Sequence, residues 1–430
     1  MTFQPVYIVD GARSPFLKAR NAPGHFSASD LAVQSARALL LRQPFEPDRL
    51  SEVILGCAAP APDETNIGRV AALRLGCGHA VPGWTVMRNC ASGMQAIDSG
   101  LVNIQAGRSD LVLAGGVDAL SRAPLLYSDE MVRWLGKWYG ARSMGAKLSA
   151  LRQFSPRMLK PVIGLLKGLT DPVVGMSMGQ TAEELAYRFG ISREDMDRYA
   201  SRSHSRAMQR DPESMETIVP LVAPDGQAFT DDDGIRTDST PDKLATLKPV
   251  FDKPYGNVTA GNSSQVTDGA SWVILASEKA VQELHLQPMG RIVDAQWAGL
   301  DPTQMGLGPV HAATPILQRH QLGLNDVDLW EINEAFAAQV LACLRAWEDD
   351  AYCQSHLGRP ALGKLDESRL NVDGGAIALG HPVGASGARI VLHLLQALRH
   401  RKLRRGMAAI CIGGGQGGAM LIENLEGAYA

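Results

Sequence analysis

Four segments of this sequence occur twice in the same order, and this internal repeat restricts the possible folds. Each copy has two apolar runs that lead into loops, a turn rich in glycine and serine that opens an amphipathic stretch, and an apolar run that ends in glycines. The four pairs are YIVDGARS (7–14) and RIVDAQWAG (291–299), EVILG (52–56) and DLWEIN (328–333), NCASGMQAIDSGL (89–101) and VGASGARIVLHLL (383–395), and LVLAGGVD (111–118) and AAICIGGGQG (408–417). Apolar strands that alternate with helices are typical of α/β folds with buried sheets. The sequence therefore predicts a duplicated α/β unit.

Domain boundaries follow from where the two copies lie and from what separates them. We predict an N-terminal half over 1–126, completed by 250–281, a loop domain over 127–249 and a C-terminal half over 282–430. The second copy is longer around 344–370, where a polar, charged segment has the character of an insertion.

Composition and charge exclude several classes of protein. The chain has 430 residues, 45% of them hydrophobic, and a formal net charge of -3. This balance gives no overall basic field of the kind that binds nucleic acid, so we expect no DNA or RNA partner. The first residues lack a basic segment followed by an apolar stretch, and no apolar run approaches the roughly 18 residues that span a bilayer. We therefore predict a cytoplasmic protein.

The cysteines are spread along the chain without any CxxC pair. This spacing argues against a disulfide framework and against a structural zinc site, so we expect reduced thiols and no bound metal. A free thiol is then available for chemistry, although most free cysteines are small buried hydrophobes. The six are Cys57, Cys77, Cys90, Cys343, Cys353 and Cys411.

Cys90 stands at the start of a predicted helix, in RNCASG (88–93). The unpaired amides of a helix N-terminus carry partial positive charge, which favours thiolate over thiol and predicts a lowered pKa. The small residues that follow would let a substrate approach the backbone closely. A buried structural cysteine explains the position equally well from this segment alone.

Two segments of the second copy favour the reactive thiol. His381 lies in a glycine-rich loop just before the helix that matches the Cys90 helix. If the two copies pack about a pseudo-twofold axis, both helix openings face one centre. Cys411 ends an apolar strand whose following glycines would free backbone N–H groups for an oxyanion. Those glycines also fit GxGxxG, but only 12 residues follow Gly418, too few for a dinucleotide-binding unit.

A basic segment lies between residues 131 and 170 and contains no acid. It fits a solvated basic face, a helix on a membrane surface, or a docking surface for a partner or for the acidic phosphates of a ligand. Its basic residues are Arg133, Lys137, Arg142, Lys147, Arg152, Arg157, Lys160 and Lys167, interleaved with Trp134, Trp138, Tyr139 and Phe154.

Six long motifs occur in an order that resembles the thiolase family along nearly the whole chain. The resemblance implies the five-layered α/β/α/β/α thiolase fold with an inserted loop domain. It also implies acyl-CoA and CoA as substrates, and no separate cofactor. The motifs are NCASGMQA around Cys90, MGQTAEELA (178–186), GNVTAGNSSQVTDGAS (256–271), NEAFAAQ (333–339), NVDGGAIALGHPVGASGAR (371–389) and CIGGGQGG (411–418).

The resemblance also implies a role for each matching catalytic position. Cys90 would be the acylated nucleophile and His381 the residue that activates it. Cys411 would exchange protons with the α-carbon of acetyl-CoA or with the incoming CoA thiol. Asn333 would hold a water that, with His381, stabilises an enolate oxygen, and the backbone N–H groups of Cys90 and Gly413 would form a second oxyanion hole. Two thiols are required because one forms a thioester while the other moves protons.

For CoA itself the resemblance implies contacts in three motifs and at two positions between them. Met178 and Phe336 also fit plain core packing. The implied contacts are Ala260, Ser263, Ser264, Met178, Ala335, Phe336, Arg236 and Phe251.

The predicted function is cleavage of 3-ketoacyl-CoA with CoA to acetyl-CoA and a shortened acyl-CoA in fatty-acid β-oxidation. The long 127–177 region and the insertion at 344–370 resemble the β-chain of a multienzyme oxidation complex. Two positions depart from patterns within the family: Ser177 stands where short-chain biosynthetic thiolases commonly have His, and Asn333 where many complex-type thiolases have His. The acyl chain length therefore stays open.

Two alternatives remain beside this prediction. A biosynthetic acetyl-CoA acetyltransferase would use the same residues to condense two acetyl-CoA, and a non-catalytic thiolase-like protein would bind acyl-CoA or lipid without turnover. The resemblance further implies a homodimer or homotetramer. It leaves open an α-chain partner and a peripheral membrane contact through 131–170.

Overall fold

The computed structural model describes residues 4–20 and 22–425. Its strands are β1 (Val6–Arg13), β2 (Leu17–Lys18), β3 (Glu52–Gly56), β4 (Gly83–Val86), β5 (Leu111–Ala119), β6 (Leu125–Leu126), β7 (Val162–Ile163), β8 (Leu221–Val222), β9 (Ala228–Phe229), β10 (Thr267–Ser277), β11 (Gly290–Gly299), β12 (Leu329–Ile332), β13 (Arg405–Ile412) and β14 (Gln416–Asn424).

The helices lie between the strands, singly or in runs. They are α1 (Ala28–Leu41), α2 (Ile67–Arg74), α3 (Ser92–Gln105), α4 (Asp129–Gly140), α5 (Met144–Arg152), α6 (Gly164–Gly168), α7 (Met178–Arg188), α8 (Arg193–Gln209), α9 (Pro241–Ala245), α10 (Glu278–Glu283), α11 (Gly308–Arg319), α12 (Ala337–Glu348), α13 (Asp350–Tyr352), α14 (Ala376–Leu379) and α15 (Val383–His400).

The main sheet has two halves that mirror the sequence repeat. Its strand order is β12-β13-β14-β11-β1-β10-β5-β3-β4, with β2 paired to β10. The halves meet where the first residues of β1 and β11 pair antiparallel. The register of β1 against β10 shifts between Ile8 and Asp10, and that of β11 against β14 shifts between Ile292 and Asp294. The two copies of the IVD segment thus carry the same irregularity.

Alternating side chains of each half build separate cores on its two faces. In β5, Leu113 and Val117 pack in an outer core with α1 and α2, whereas Val112 and Ala114 pack in a central core. The central core also contains residues of α3, α15 and the C-terminal sheet half, and α11 and α12 cover the far face of that half. The layers are therefore α/β/α/β/α, which confirms the fold that the sequence predicts.

The central helices α3 and α15 touch each other through glycines. A Cβ atom on Gly93 would lie 2.8 Å from the carbonyl oxygen of Gly384, and one on Gly387 would lie 2.6 Å from the amide nitrogen of Met94. Contacts this short leave no room for a side chain. The amino-terminal ends of the two helices therefore converge on one region.

The residues between the halves form small elements on the surface. α4 and α5 pack against each other, and the indole Nε1 of Trp134 donates to the carbonyl of Ala150 at 2.9 Å. Trp134 stacks on Trp138 with ring centroids 5.7 Å apart. Large apolar side chains remain exposed there, including Tyr139 at 81% and Met144 at 82%. The chain then returns to the first half of the sheet in β10, which lies between β1 and β5. The exact domain boundaries remain a prediction.

Within the part of the chain that the structure describes, every helix is too short or too polar to cross a membrane.

Candidate active site

Cys90 lies in a single 3-10 turn, Asn89–Ala91, immediately before α3. The turn is closed by Ser92, whose hydroxyl donates to the carbonyl of Asn89 at 2.7 Å and accepts from the amide of Arg88 at 2.9 Å. α15 and β13 both contact this turn. The turn thus brings the thiol to the place where the two central helices begin.

The expected lowering of the Cys90 pKa is wrong in direction. The protein packed around the half-buried residue raises the pKa of its thiol, and a charge on Asp118 acts the same way. Hydrogen bonds with the backbone at Gly413 and at Cys90 itself lower the pKa but do not outweigh burial. The free energy lost when a thiolate is removed from water exceeds the stabilisation that a few backbone amides provide. Cys90 therefore needs a base to be deprotonated.

Asn89 fixes the relation between Cys90 and Gly413. Its side-chain amide donates to the carbonyl of Gly413 at 2.8 Å, and its φ of 44° is a left-handed conformation that asparagine tolerates better than most residues. The hydrogen bond joins the Cys90 turn to the glycines after β13. The backbone at Cys90 and at Gly413 therefore meets at the sulfur.

His381 is buried and neutral, with one ring nitrogen free. Its Nδ1 lies 2.5 Å from the hydroxyl of Ser386, which is 3.1 Å from the carbonyl of Pro382. A carbonyl only accepts, so the hydroxyl proton goes to Pro382 and Nδ1–H of His381 donates to Ser386. Nε2 then carries the lone pair, and it has no hydrogen-bond partner among the described residues. Burial, with the charge of Arg389, lowers the pKa of His381 to about 4.

Asn333 presents a second unpartnered polar atom. Its backbone amide donates to the carbonyl of Ala409 in β13 at 2.9 Å, and its side chain is fully buried. Nδ2 has no partner among the described residues. Two buried polar groups left unpaired in one site are costly unless they serve a ligand or a water. Asn333 Nδ2 and His381 Nε2 fit that description.

Cys411 is the penultimate residue of β13, and only 1% of its surface is exposed. Burial raises its pKa well above the usual range, and charge on Cys90 would raise it further. At neutral pH this thiol is protonated. It is therefore placed to give a proton before it takes one.

The residues that the resemblance assigns to CoA lie mostly on two adjoining backbone segments. The amide of Ser264 donates to the carbonyl of Ala335 at 3.0 Å, and Ser263 bridges to Phe336. The amide of His381 donates to the carbonyl of Gln265 at 2.9 Å, which ties the first segment to the catalytic loop.

Two aromatic rings and a methionine lie next to these CoA segments. The rings of Phe251 and Phe336 meet edge to face at 5.9 Å. Phe251 also covers the start of α7, since a Cβ on Gly179 would lie 2.2 Å from its ring. The sulfur of Met178 would be 3.0 Å from a Cβ on Gly413, so a side chain at position 413 would have to displace Met178 slightly.

The last two assigned residues lie at the edge of this group. Ala260 is exposed on the turn before Ser263. Arg236 is also exposed, and its amide donates to His204 Nδ1 at 3.1 Å. The structure thus brings Cys90, Cys411 and Gly413 together where the Cys90 turn meets β13. Asn333 and His381 both interact with Arg389, and Arg236 remains an outlying cation.

Sequence reasoning did not single out several residues that hold the site. Asn89, Ser386 and Arg389 lie inside recognised motifs but received no role. A signal existed for Arg389, because an arginine in the apolar stretch of α15 requires a buried partner. That partner is Glu331, a carboxylate in the fully buried strand β12.

Glu334 is a further missed residue, and it shapes the loop that follows Asn333. Its carboxylate accepts from the hydroxyls of Tyr199 at 3.1 Å and Ser203 at 2.6 Å, and from the side chain of Asn371 at 3.0 Å.

In the described residues, no group of three or more His, Cys, Asp or Glu side chains is arranged to hold a metal ion.

Comparison with known proteins covers almost the entire chain. The family model described as "Thiolase, N-terminal domain" matches residues 6–279, and the one described as "Thiolase, C-terminal domain" matches residues 286–424.

Curated relatives match along nearly their full lengths. The mitochondrial trifunctional enzyme subunit beta of Bos taurus is 36% identical over 421 residues, which cover 97% of this chain and 88% of that protein. The 3-ketoacyl-CoA thiolase of Yersinia enterocolitica is 36% identical over 423 residues, with 97% and 96% covered.

Solved structures agree with these matches. An acetyl-CoA acetyltransferase of Bacillus anthracis has a TM-score of 0.85 at 37% identity, covering 98% of this chain and 99% of that chain. A human mitochondrial 3-ketoacyl-CoA thiolase in complex with CoA has a TM-score of 0.83 at 35% identity, with 98% of each chain covered. With two family models spanning both halves and relatives of this identity along its length, the chain belongs to the thiolase family of acyltransferases.

Proposed function

We propose that this thiolase cleaves 3-ketoacyl-CoA with CoA to acetyl-CoA and a shortened acyl-CoA in fatty-acid β-oxidation, through an acyl group on Cys90. The proposal is supported by the contact of the Cys90 turn with α15 and β13, by the neutral His381 two residues before α15, and by the protonated thiol of Cys411 in β13. Relatives named 3-ketoacyl-CoA thiolase and trifunctional enzyme subunit beta support the degradative direction.

The first half-reaction forms a carbon–sulfur bond and breaks a carbon–carbon bond. His381 Nε2 takes the thiol proton of Cys90, and the sulfur attacks the C3 ketone. Backbone N–H groups of Cys90 and Gly413 stabilise the oxyanion at C3. When the C2–C3 bond breaks, its electron pair passes to the acetyl-CoA thioester as an enolate, whose oxygen is stabilised by a water that Asn333 holds and by the protonated His381.

The remaining steps complete the first half-reaction, transfer the acyl group to CoA and restore every proton. Cys411 gives its proton to C2 and releases acetyl-CoA, and its thiolate then accepts the proton of the incoming CoA thiol. The CoA sulfur attacks the Cys90 thioester, and the departing Cys90 sulfur recovers its proton from His381. No step requires a cofactor, because CoA itself is a substrate. We propose that this CoA lies along the segments that hold Ser264 and Phe336.

Thiolysis of 3-ketoacyl-CoA substrates from C4 to C16 tests the function. We expect turnover of chains longer than C4 and its loss in Cys90→Ala. Cys77→Ala is a matched control, because Cys77 is a buried free thiol outside the site. Turnover in Cys90→Ala, or none in the wild type, would contradict the proposal.

A biosynthetic acetyl-CoA acetyltransferase is the second candidate. The similar Bacillus anthracis structure bears that name, and Asn333 departs from the pattern of many complex-type thiolases. Thiolysis confined to C4 would favour it.

A non-catalytic protein that binds acyl-CoA or lipid is the third candidate and belongs to another class. The presence of Cys90, Asn333, His381 and Cys411 in one site opposes it. It would gain support if the purified protein took no label from radioactive acetyl-CoA at Cys90.

We further propose that the chain forms a homodimer or a homotetramer, with the dimer made through β4. This strand is at one end of the sheet, its outer edge pairs with no other described strand, and the next residue, Met87, is 57% exposed. Exposed sheet edges favour pairing with another chain, and a twofold axis would pair β4 with itself. Met87→Lys should shift the mass in light scattering toward the monomer; an unchanged mass would contradict β4 as the interface.

The basic segment 131–170 is proposed as a surface for an anionic membrane or for an α-chain of an oxidation complex. Its eight basic residues and the exposed Tyr139, Met144 and Leu159 support this assignment. Flotation with vesicles that contain anionic lipid, using the full chain and a 131–170 deletion, separates the two. Vesicle binding by the full chain that is lost in the deletion variant would favour the membrane. No vesicle binding by the full chain would favour the protein partner.

A reducing, cytoplasmic compartment fits the chemistry. All six cysteines are free, including both thiols of the site. Reduced thiols persist where glutathione and thioredoxin maintain them.

A further inference from the structure

Arg389 is a buried cation that touches the site without reaching the substrate. Only 1% of its surface is exposed. Its Nη1 pairs with the carboxylate of Glu331, and its Nη2 lies 3.5 Å from Oδ1 of Asn333. It takes no part in the proton transfers proposed for Cys90, His381 and Cys411.

The chemistry of the guanidinium determines the orientation of the Asn333 amide. A guanidinium only donates, so the amide oxygen must face Arg389 and the amide nitrogen must face the opposite side. Nδ2 is the atom that is buried without a partner. If the Asn333 amide were rotated by half a turn, its Nδ2 group would face the donors of Arg389. The N–H groups of Asn333 would then point away from the enolate.

We propose that Arg389 is a positioning residue for the enolate site, which holds the Asn333 amide with its N–H groups toward the thioester oxygen and places a fixed positive charge beside His381. The inference rests on the proposed function. That charge lowers the pKa of His381 in addition to the larger effect of burial, so Nε2 stays available as an acceptor.

Other charged and titratable groups near His381 do not replace Arg389. Cys90 lies in the turn before α3 and Cys411 in β13, and both thiols are neutral before reaction because burial raises their pKa values. Asp118, at the end of β5, accepts from the amide of Gly384 in α15, and burial raises its pKa to about 6. Arg389 is the charge that shifts the pKa of His381.

Glu331 would keep a charged partner if Arg389 were replaced. Its second oxygen is 2.7 Å from Nδ1 of His393, whose Nε2 is 3.2 Å from Asp373. These carboxylates raise the pKa of His393 to about 9 despite burial, so it is a cation at neutral pH. Arg389→Met therefore does not leave Glu331 as an unpaired buried charge.

The test compares Arg389→Met with Arg401→Met across pH. Arg401 bonds to Asp373 at 2.8 Å, at the far end of the same ion cluster, and is a matched control. Two reactions are measured: thiolysis of acetoacetyl-CoA, which passes through the enolate, and exchange of labelled CoA into acetyl-CoA, which forms and breaks the Cys90 thioester without an enolate.

In Arg389→Met we expect kcat for thiolysis to fall by about 10²-fold to 10³-fold with little change in KM, because loss of one oxyanion donor has this effect. Exchange should fall less, and its acid limb should move to higher pH as the pKa of His381 rises. Arg389→Lys keeps the charge but not the fork, so its thiolysis should fall while its acid limb stays in place.

Equal losses in both reactions with an unmoved acid limb would overturn the inference, because a structural role alone predicts them. Kinetics of Arg389→Met that match Arg401→Met would overturn it as well. Wild-type enzyme that exchanges acetyl groups but cannot cleave acetoacetyl-CoA would instead overturn the proposed function together with the inference.

Discussion

The two thiols of the site differ in ways that suit different chemistry. Cys90 is half-buried at the junction of two helices, with backbone groups of its own turn and of Gly413 around the sulfur. Cys411 is almost fully buried, and its pKa is raised further. The first thiol can hold an acyl group, and the second can hold a proton.

Replacing Cys411 should separate the two half-reactions. Cys411→Ala keeps Cys90 and His381, so acetylation of Cys90 by acetyl-CoA should persist. Thiolysis of acetoacetyl-CoA should fall by about 10²-fold to 10⁴-fold, since general acid–base catalysis contributes that much. Intact-protein mass spectrometry and steady-state rates measure the two steps, and equal losses would contradict the assigned roles.

The protonation of Cys90 can be read from its alkylation. Burial raises the pKa of Cys90 and lowers that of His381 to about 4, so the resting pair is thiol and neutral imidazole. The iodoacetamide rate constant at Cys90 should therefore climb as pH rises through 7 to 9, because only the thiolate reacts. Cys90→Ala gives the background rate. A plateau below pH 7 would indicate a thiolate–imidazolium pair instead.

At the scale of residues, the motifs predict which side chains react but do not predict which neighbours hold them in place. Cys90, His381, Cys411 and Asn333 stand in motifs whose resemblance assigns roles. The direction of the Cys90 pKa depends on burial, which the local pattern does not reveal, and the hydrogen bond from Asn89 to Gly413 joins residues far apart in sequence.

Among the elements, α3 and α15 determine the geometry of the site. Their glycine contacts allow both amino-terminal ends to reach the same centre. The repeat in the sequence predicted this pairing, because the two copies place ASG at the start of each helix. The 3-10 form of the Cys90 turn was not predicted, since helix boundaries are the least regular part of a helix.

A methyl group at the helix contact should damage both stability and activity. Gly387→Ala would place Cβ 2.6 Å from the amide nitrogen of Met94, so the helices must separate at a cost of about 1–3 kcal/mol. Gly136→Ala in α4 is a matched control in open space and should stabilise by up to about 1 kcal/mol. Thermal unfolding and thiolysis rates check both variants; a Gly387→Ala protein as stable and active as the wild type would contradict close packing as the reason for glycine.

For the whole molecule, the duplication explains how one site draws on both halves. The first half supplies Cys90, and the second supplies Asn333, His381 and Cys411, across a central core shared by both sheet halves. The repeat predicted a duplicated α/β unit, and the resemblance to thiolases implied the five layers. The arrangement of the exposed apolar side chains in 131–170 could not be predicted from the sequence. The short helices of this segment pack mainly on one another, so the pattern of apolar residues does not show which side chains stay exposed.

The central claim, that Cys90 receives the shortened acyl chain, is tested most directly by intact-protein and peptide mass spectrometry after mixing the enzyme with 3-ketooctanoyl-CoA in the absence of CoA. The account predicts a hexanoyl group on Cys90, two carbons shorter than the substrate chain, together with released acetyl-CoA. A 3-ketooctanoyl group on Cys90, an acyl group on another residue, or an unmodified protein would contradict it.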